Sequence, residues 1–103
     1  MSGAKAFLVS ESETVDEAAL AAYVPRVQAA LRAAGGRPAV ISSVGGEVVS
    51  LVGAPPANYV VSEWQSLAAA QGWLDSPEYR TLAPQREKAY RVLRQFIIEM
   101  RAT

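Results

Sequence analysis

The chain has 103 residues, half of them apolar and 19% charged, with ten basic residues against ten acidic ones. That length suits one domain spanning 1–103 with a packed core, since two domains would each be too small to bury one. Balanced charge supplies no field that would draw the protein onto nucleic acid or an anionic membrane, and the lack of cysteine and histidine excludes a disulfide framework, serine-histidine and cysteine-histidine hydrolases, and zinc sites built on thiolate or imidazole.

A cysteine-free chain suits a reducing cytoplasm. Met1 to Val9 carries only a very short apolar run, unlike a secretory signal, and no stretch approaches the length needed to span a bilayer. Glu11, Glu13, Asp16 and Glu17 cluster early, whereas Arg80, Arg86, Lys88, Arg91, Arg94 and Arg101 crowd the last quarter. Such runs read first as solvated faces.

Ala4 to Ser10 reads as a first strand, with Phe7, Leu8 and Val9 apolar in succession. Thr14 and Glu17 form a Thr-x-x-Glu capping box, which predicts a helix from about Val15. Leu20, Tyr23, Val24, Val27 and Leu31 follow at spacings of three and four and give that helix one apolar face. Pro25 predicts a kink near Ala21 or Ala22, and Gly35-Gly36 ends the helix.

Arg37 to Val44 is a second strand, and Gly45-Gly46 reads as a tight turn into a further strand, Val48 to Val52. After the Gly53-Ala54-Pro55-Pro56 loop, Asn58 to Trp64 forms another strand. Ser66 caps a short helix, and Ser76 caps a second one with Pro77 at its first position, where a missing backbone donor costs nothing. Pro84 opens another turn or restarts the helix. Val92 to Met100 is the last strand, with Val92, Phe96, Ile98 and Met100 on one face and Leu93 and Ile97 on the other.

The order is β-α-β-β-α-β, the split pattern of an α+β, ferredoxin-like domain. Two helices cover one face of such a sheet, yet Phe7 with Val9, Ala6 with Leu8, Val40 with Val44, Ile41 with Ser43, and Val60 with Trp64 make both faces apolar. A second copy of the chain is the economical cover, so a homodimer is expected.

Ala34-Gly35-Gly36-Arg37 after the first helix, Gly45-Gly46-Glu47, Ser62-Glu63-Trp64-Gln65-Ser66-Leu67 and Trp73-Leu74-Asp75-Ser76-Pro77-Glu78-Tyr79 resemble the family catalogued as domain of unknown function 1330. The resemblance runs from about Lys5 to Ile98. It implies a ferredoxin-like fold, dimerisation sheet to sheet as in dimeric α+β barrels, and a small-molecule cavity between helices and sheet, with no settled reaction. Leu74 stands where the family commonly has an aromatic residue, and Val52 where a Leu-Glu-Gly pattern places a carboxylate.

With no metal motif and no cofactor expected, chemistry falls to carboxylates, tyrosines and arginines. Glu63 ends an apolar strand, where desolvation would raise its pKa toward that of a general base; the alternative is a hydrogen-bonded anchor of the strand-to-helix turn. Tyr79 offers a second proton-transfer group, or a core hydroxyl bonded to the backbone. Arg37 and Arg86 are candidate clamps for a carboxylate or phosphate, or ion-pair partners of Glu63 and Glu78. Tyr23 and Trp64 are candidate ligand contacts, or core. Two readings stand: a dimeric binder or cofactor-free enzyme acting on a small, partly apolar organic acid or phenol, and a non-catalytic dimeric module with internally paired charges.

Overall fold

The computed structural model describes residues 4–42 and 45–101. It begins with strand β1 (Lys5–Thr14), followed by helix α1 (Glu17–Ala33), strands β2 (Arg37–Ile41) and β3 (Asn58–Trp64), helices α2 (Leu67–Leu74), α3 (Pro77–Thr81) and α4 (Ala83–Ala89), and strand β4 (Tyr90–Met100). The strands form one sheet in the order β2-β3-β1-β4, antiparallel throughout. This is the ferredoxin-like arrangement, with its second helical crossing divided into three short pieces.

Local chemistry sets those divisions. Ser66 Oγ accepts from the Ala69 amide at 3.0 Å and opens α2. Ser76 Oγ accepts from the Tyr79 amide at 3.2 Å and donates to the Trp73 carbonyl at 2.7 Å, closing one helix while opening the next. Pro77 and Pro84 each occupy the first turn of α3 and α4, where their missing donors leave no bond broken.

Several expectations are corrected. The cap of α1 is Asp16, whose side chain accepts from the Ala19 amide at 2.9 Å, because β1 runs on through Thr14. Thr14 pairs with Tyr90 across the sheet, and its hydroxyl lies 2.8 Å from the Asn58 carboxamide, so it is not available to cap a helix. α1 continues as helix through Pro25.

Val48 to Val52 forms no strand. The place beside β2 is taken by β3, with Pro38 opposite Ser62 and Ile41 opposite Val60, and the Ser42 amide donates to the Tyr59 carbonyl. Val49, Leu51 and Val52 consequently stand in solvent, Val52 at 95% exposure. Ser43 and Val44, the end of the expected second strand, lie outside the described residues.

The two faces of the sheet differ in cover. Ala6 and Leu8 of β1, and Ser62 and Trp64 of β3, are buried toward the helices, where they join Leu31, Ala70 and Trp73 in the core. Trp64 stacks on Trp73 with centroids 5.9 Å apart and donates from Nε1 to Ser62 Oγ at 2.9 Å. Gly36, at the turn from α1 into β2, packs so closely on the Trp64 ring that only a hydrogen fits there. On the other face, Phe7 pairs with Ile98 and Val9 with both Phe96 and Val61. Among the described residues no helix lies over this face, and Ile98 and Met100 are about half exposed there, at 50% and 52%.

β4 departs from simple alternation. A bulge between Glu11 and Ser12 of β1 shifts the partner from Arg94 to Val92, adding one residue to β4. Val92 therefore stands opposite Ser12 and leaves the row of Phe96, Ile98 and Met100. The same shift brings Tyr90 to the helix-covered face, on which Gln95 and Ile97 also lie.

Candidate functional site

A strand that carries leucine or valine throughout its covered face fills the space under a helix. β1 instead places Ser10 and Ser12 after Leu8, and β3 places Ser62 before Trp64. These short side chains leave room beneath the apolar stripe of α1, and the result is a cavity of about 120 Å³. Leu20, Val24, Val27 and Leu31 of α1 form its roof, and Leu8, Ile41 and Val60 contribute to its apolar floor.

One end is polar. Tyr23, Tyr79, Tyr90 and Gln95 meet there, brought from α1, α3 and β4. Arg86 of α4 supports them from behind: its Nη1 donates to Tyr23 Oη at 3.1 Å and to the Tyr79 carbonyl at 3.3 Å, and its guanidinium lies 3.9 Å from the centre of the Tyr79 ring. Gln95 Nε2 donates to Ser10 Oγ at 3.0 Å and to Tyr79 Oη at 3.4 Å. Tyr90 packs edge-on against Tyr23, 5.6 Å between centroids, and Tyr79 packs likewise against Trp73 at 5.1 Å.

The electrostatics follow from that packing. Burial works against the charge of Arg86, but the Tyr23 hydroxyl and the neighbouring phenols outweigh it and hold the guanidinium above its ordinary pKa. Burial first, and Tyr23 second, push the Tyr90 phenol far above the usual tyrosine range, so Tyr90 stays protonated. Among the described residues, no group of carboxylates is placed to hold a metal ion.

The sequence candidates separate into two groups. Tyr23 and Tyr79 line the cavity, and Arg86 touches both. Glu63 and Arg37 do not border it; they lie opposite each other across β3 and β2 on the open face of the sheet. Glu63 is ion-paired to Arg37 and to Lys5, the latter at 2.9 Å. Hydrogen bonds from Lys5 and then Arg37 lower its pKa, so the expectation of a desolvated carboxyl with a raised pKa is corrected by two cations. Trp64 belongs to the core beside the cavity, whereas Trp73 is the tryptophan that lines it.

Tyr90, Gln95, Ser10 and Asn58 are lining residues that sequence reasoning missed. The serine run on β1 was a readable signal, because alternate serines on a covered face leave space. Tyr90 carried none, since only the bulge turns it inward.

The sequence matches the model of a family described as domain of unknown function (DUF1330) over residues 5–100. The chain belongs to this family. Among solved structures, DUF1330 geometry as seen in this chain is similar to a protein of unknown function from Rhodopseudomonas palustris, RPA0582. That likeness has a TM-score of 0.67 at 18% identity, covering 96% of this chain and 82% of the other. The methylated form of RPA0582 gives a TM-score of 0.62 at 20% identity over 100% and 83% of the two chains. At these identities the likeness concerns the fold. No curated protein matches.

Proposed function

We propose that this DUF1330 chain is a homodimeric small-molecule-binding protein whose cavity beneath α1 takes a small, partly apolar organic acid or phenol. The observation that carries the reading is an apolar cavity closed at one end by three tyrosines, with an arginine bonded to two of them. A dry apolar cavity of about 150 Å³ takes up benzene. A cavity of about 120 Å³ therefore suits one ring or a short branched aliphatic chain, its polar atoms at the tyrosine end. In this reading Tyr79, which lines the cavity, exchanges a proton with such a ligand, while Glu63 and Arg37 tie strands together on the opposite face.

The dimer in this reading forms sheet to sheet, as in dimeric α+β barrels. Phe7, Val9, Val61, Phe96 and Ile98 adjoin one another on a face that carries no helix among the described residues, and monomers rarely leave large apolar patches in water. A non-catalytic dimeric module is the second reading, favoured by the paired charges Glu63 with Arg37 and Lys5, Glu11 with Arg94, and Glu13 with Arg91.

Thermal unfolding with a set of aromatic and short aliphatic acids and phenols separates the two. Binding to the native state alone stabilises by about 2.7 kcal/mol when ligand stands at one hundred times Kd. Members of the set should raise Tm in the wild type and fail with Val24→Phe, which fills the cavity from its roof. If no compound moves Tm, the ligand-binding reading is lost and the structural module remains.

A further inference from the structure

A guanidinium has donors and no acceptor. Its bond to Tyr23 Oη therefore uses a lone pair of that phenol and leaves the phenolic hydrogen free. Tyr23 is buried at the cavity wall, and among the described residues the arginine bond to its hydroxyl is one that it accepts. Tyr90 is its neighbour, and a hydrogen bond between the two phenols helps to keep the Tyr90 hydroxyl protonated. Two adjacent phenols hold two hydrogens, and a bond between them uses one. At least one remains, at the polar end of a cavity that both rings line.

A buried donor without an acceptor carries its full desolvation penalty. Here the donor is also strengthened, because Arg86 draws electron density from the Tyr23 oxygen and remains charged at every working pH. The cavity is lined by neither an arginine nor a carboxylate. Positive charge reaches it at one remove, through the phenol.

The geometry points to recognition of the ligand as an oxyanion by the Tyr23 hydroxyl, with Arg86 as the positioning residue that polarises it. This rests on the ligand-binding reading above and narrows its ligands to molecules that present an ionised carboxylate, or an enolate or phenolate oxygen, beside one small apolar group. Neutral molecules of the same shape fill the apolar part but offer the Tyr23 hydrogen a weaker acceptor. Charge-assisted hydrogen bonds are roughly twice as strong as neutral ones. An acid should therefore bind about tenfold or more tightly than its amide.

Calorimetric titration of the full chain with benzoate and benzamide, and with isobutyrate and isobutyramide, tests this. In the wild type each acid should bind more tightly than its amide. Tyr23→Phe should abolish that preference, weakening the acids far more than the amides, which lose only a neutral hydrogen bond. Arg86→Met should reduce the preference with Tyr23 still in place, and Arg86→Lys should restore part of it, which a merely structural arginine would not do. Far-ultraviolet circular dichroism and Tm identify any variant that has failed to fold, and the Arg86 pair then stands in for Tyr23→Phe. Amides that bind the wild type as tightly as acids, or an acid preference that survives both Tyr23→Phe and Arg86→Met, overturn the oxyanion assignment alone. Absence of binding by all four probes removes it together with the ligand-binding reading.

Discussion

Replacing Gly36 with alanine tests how tightly the core is fitted. A methyl group there would lie 2.5 Å from Trp64 Cζ2, 2.6 Å from Cη2 and 2.8 Å from Cε2. The indole does not swing aside easily: it is 2% exposed, stacked on Trp73 and tethered through Nε1 to Ser62. Backbone strain does not confuse the comparison, since only Gly35 and Gly53 among the described glycines have positive φ. Overpacking of this kind costs about 1–3 kcal/mol, and loss of glycine's freedom in the unfolded chain returns about 0.4–1 kcal/mol. The net loss is about 1–2 kcal/mol, or roughly 5–15 °C in Tm for a domain of this size. Gly72 supplies the control, because its Cβ position in α2 meets nothing within 4 Å. Gly72→Ala should gain up to about 1 kcal/mol from helix propensity. Urea denaturation of both variants should move the midpoints in opposite directions. Midpoints that rise together would refute the contact between Gly36 and Trp64.

Ser76→Ala should cost about 1 kcal/mol, visible as a lower urea midpoint with unchanged slope, because one hydroxyl both caps α3 and closes α2. Glu63 has a native pKa below its ordinary value of 4.5. The unfolded chain therefore takes up the proton first, and the stability from this carboxylate is present above about pH 4.5 and lost as pH falls through the native value. Wild type and Glu63→Gln should accordingly differ in Tm near neutrality and converge in acid; a constant difference across that range refutes the ion-pair assignment. Sedimentation at micromolar concentration should give twice the chain mass for the wild type and a monomer for Ile98→Lys, which puts a charge on the open face. A wild-type monomer ends the dimer proposal.

Much of the fold was legible because its signals are local. Ser66 and Ser76 stand before their helices, Pro77 marks a first turn, and the stripe from Leu20 to Leu31 fixes which side of α1 faces the sheet. Errors arose where a distant segment decided the outcome. Thr14 resembles a helix cap in isolation, but pairing with Tyr90 extends β1 past it. Val48 to Val52 has strand composition, yet β3 holds the only position beside β2 inside the sheet. For the candidate site, Tyr23 and Tyr79 border the cavity and Arg86 touches both, whereas Glu63 points to the other face by strand parity. Tyr90 was hidden because one extra residue in β4 reverses parity below the bulge, and nothing in the run Val92-Leu93-Arg94 announces it.

The stacked tryptophans have an optical consequence. The chain has two tryptophans, and they form a single pair, so its indole emission comes from one place in the molecule. Trp64 is sealed in the core, but Trp73 borders the cavity and touches the edge of Tyr79. A molecule entering beneath α1 meets that indole directly and changes its surroundings, whereas events on the open face of the sheet are screened by the sheet itself. The protein thus carries a built-in fluorophore that distinguishes filling of the cavity from association of chains, without a label and on the same sample.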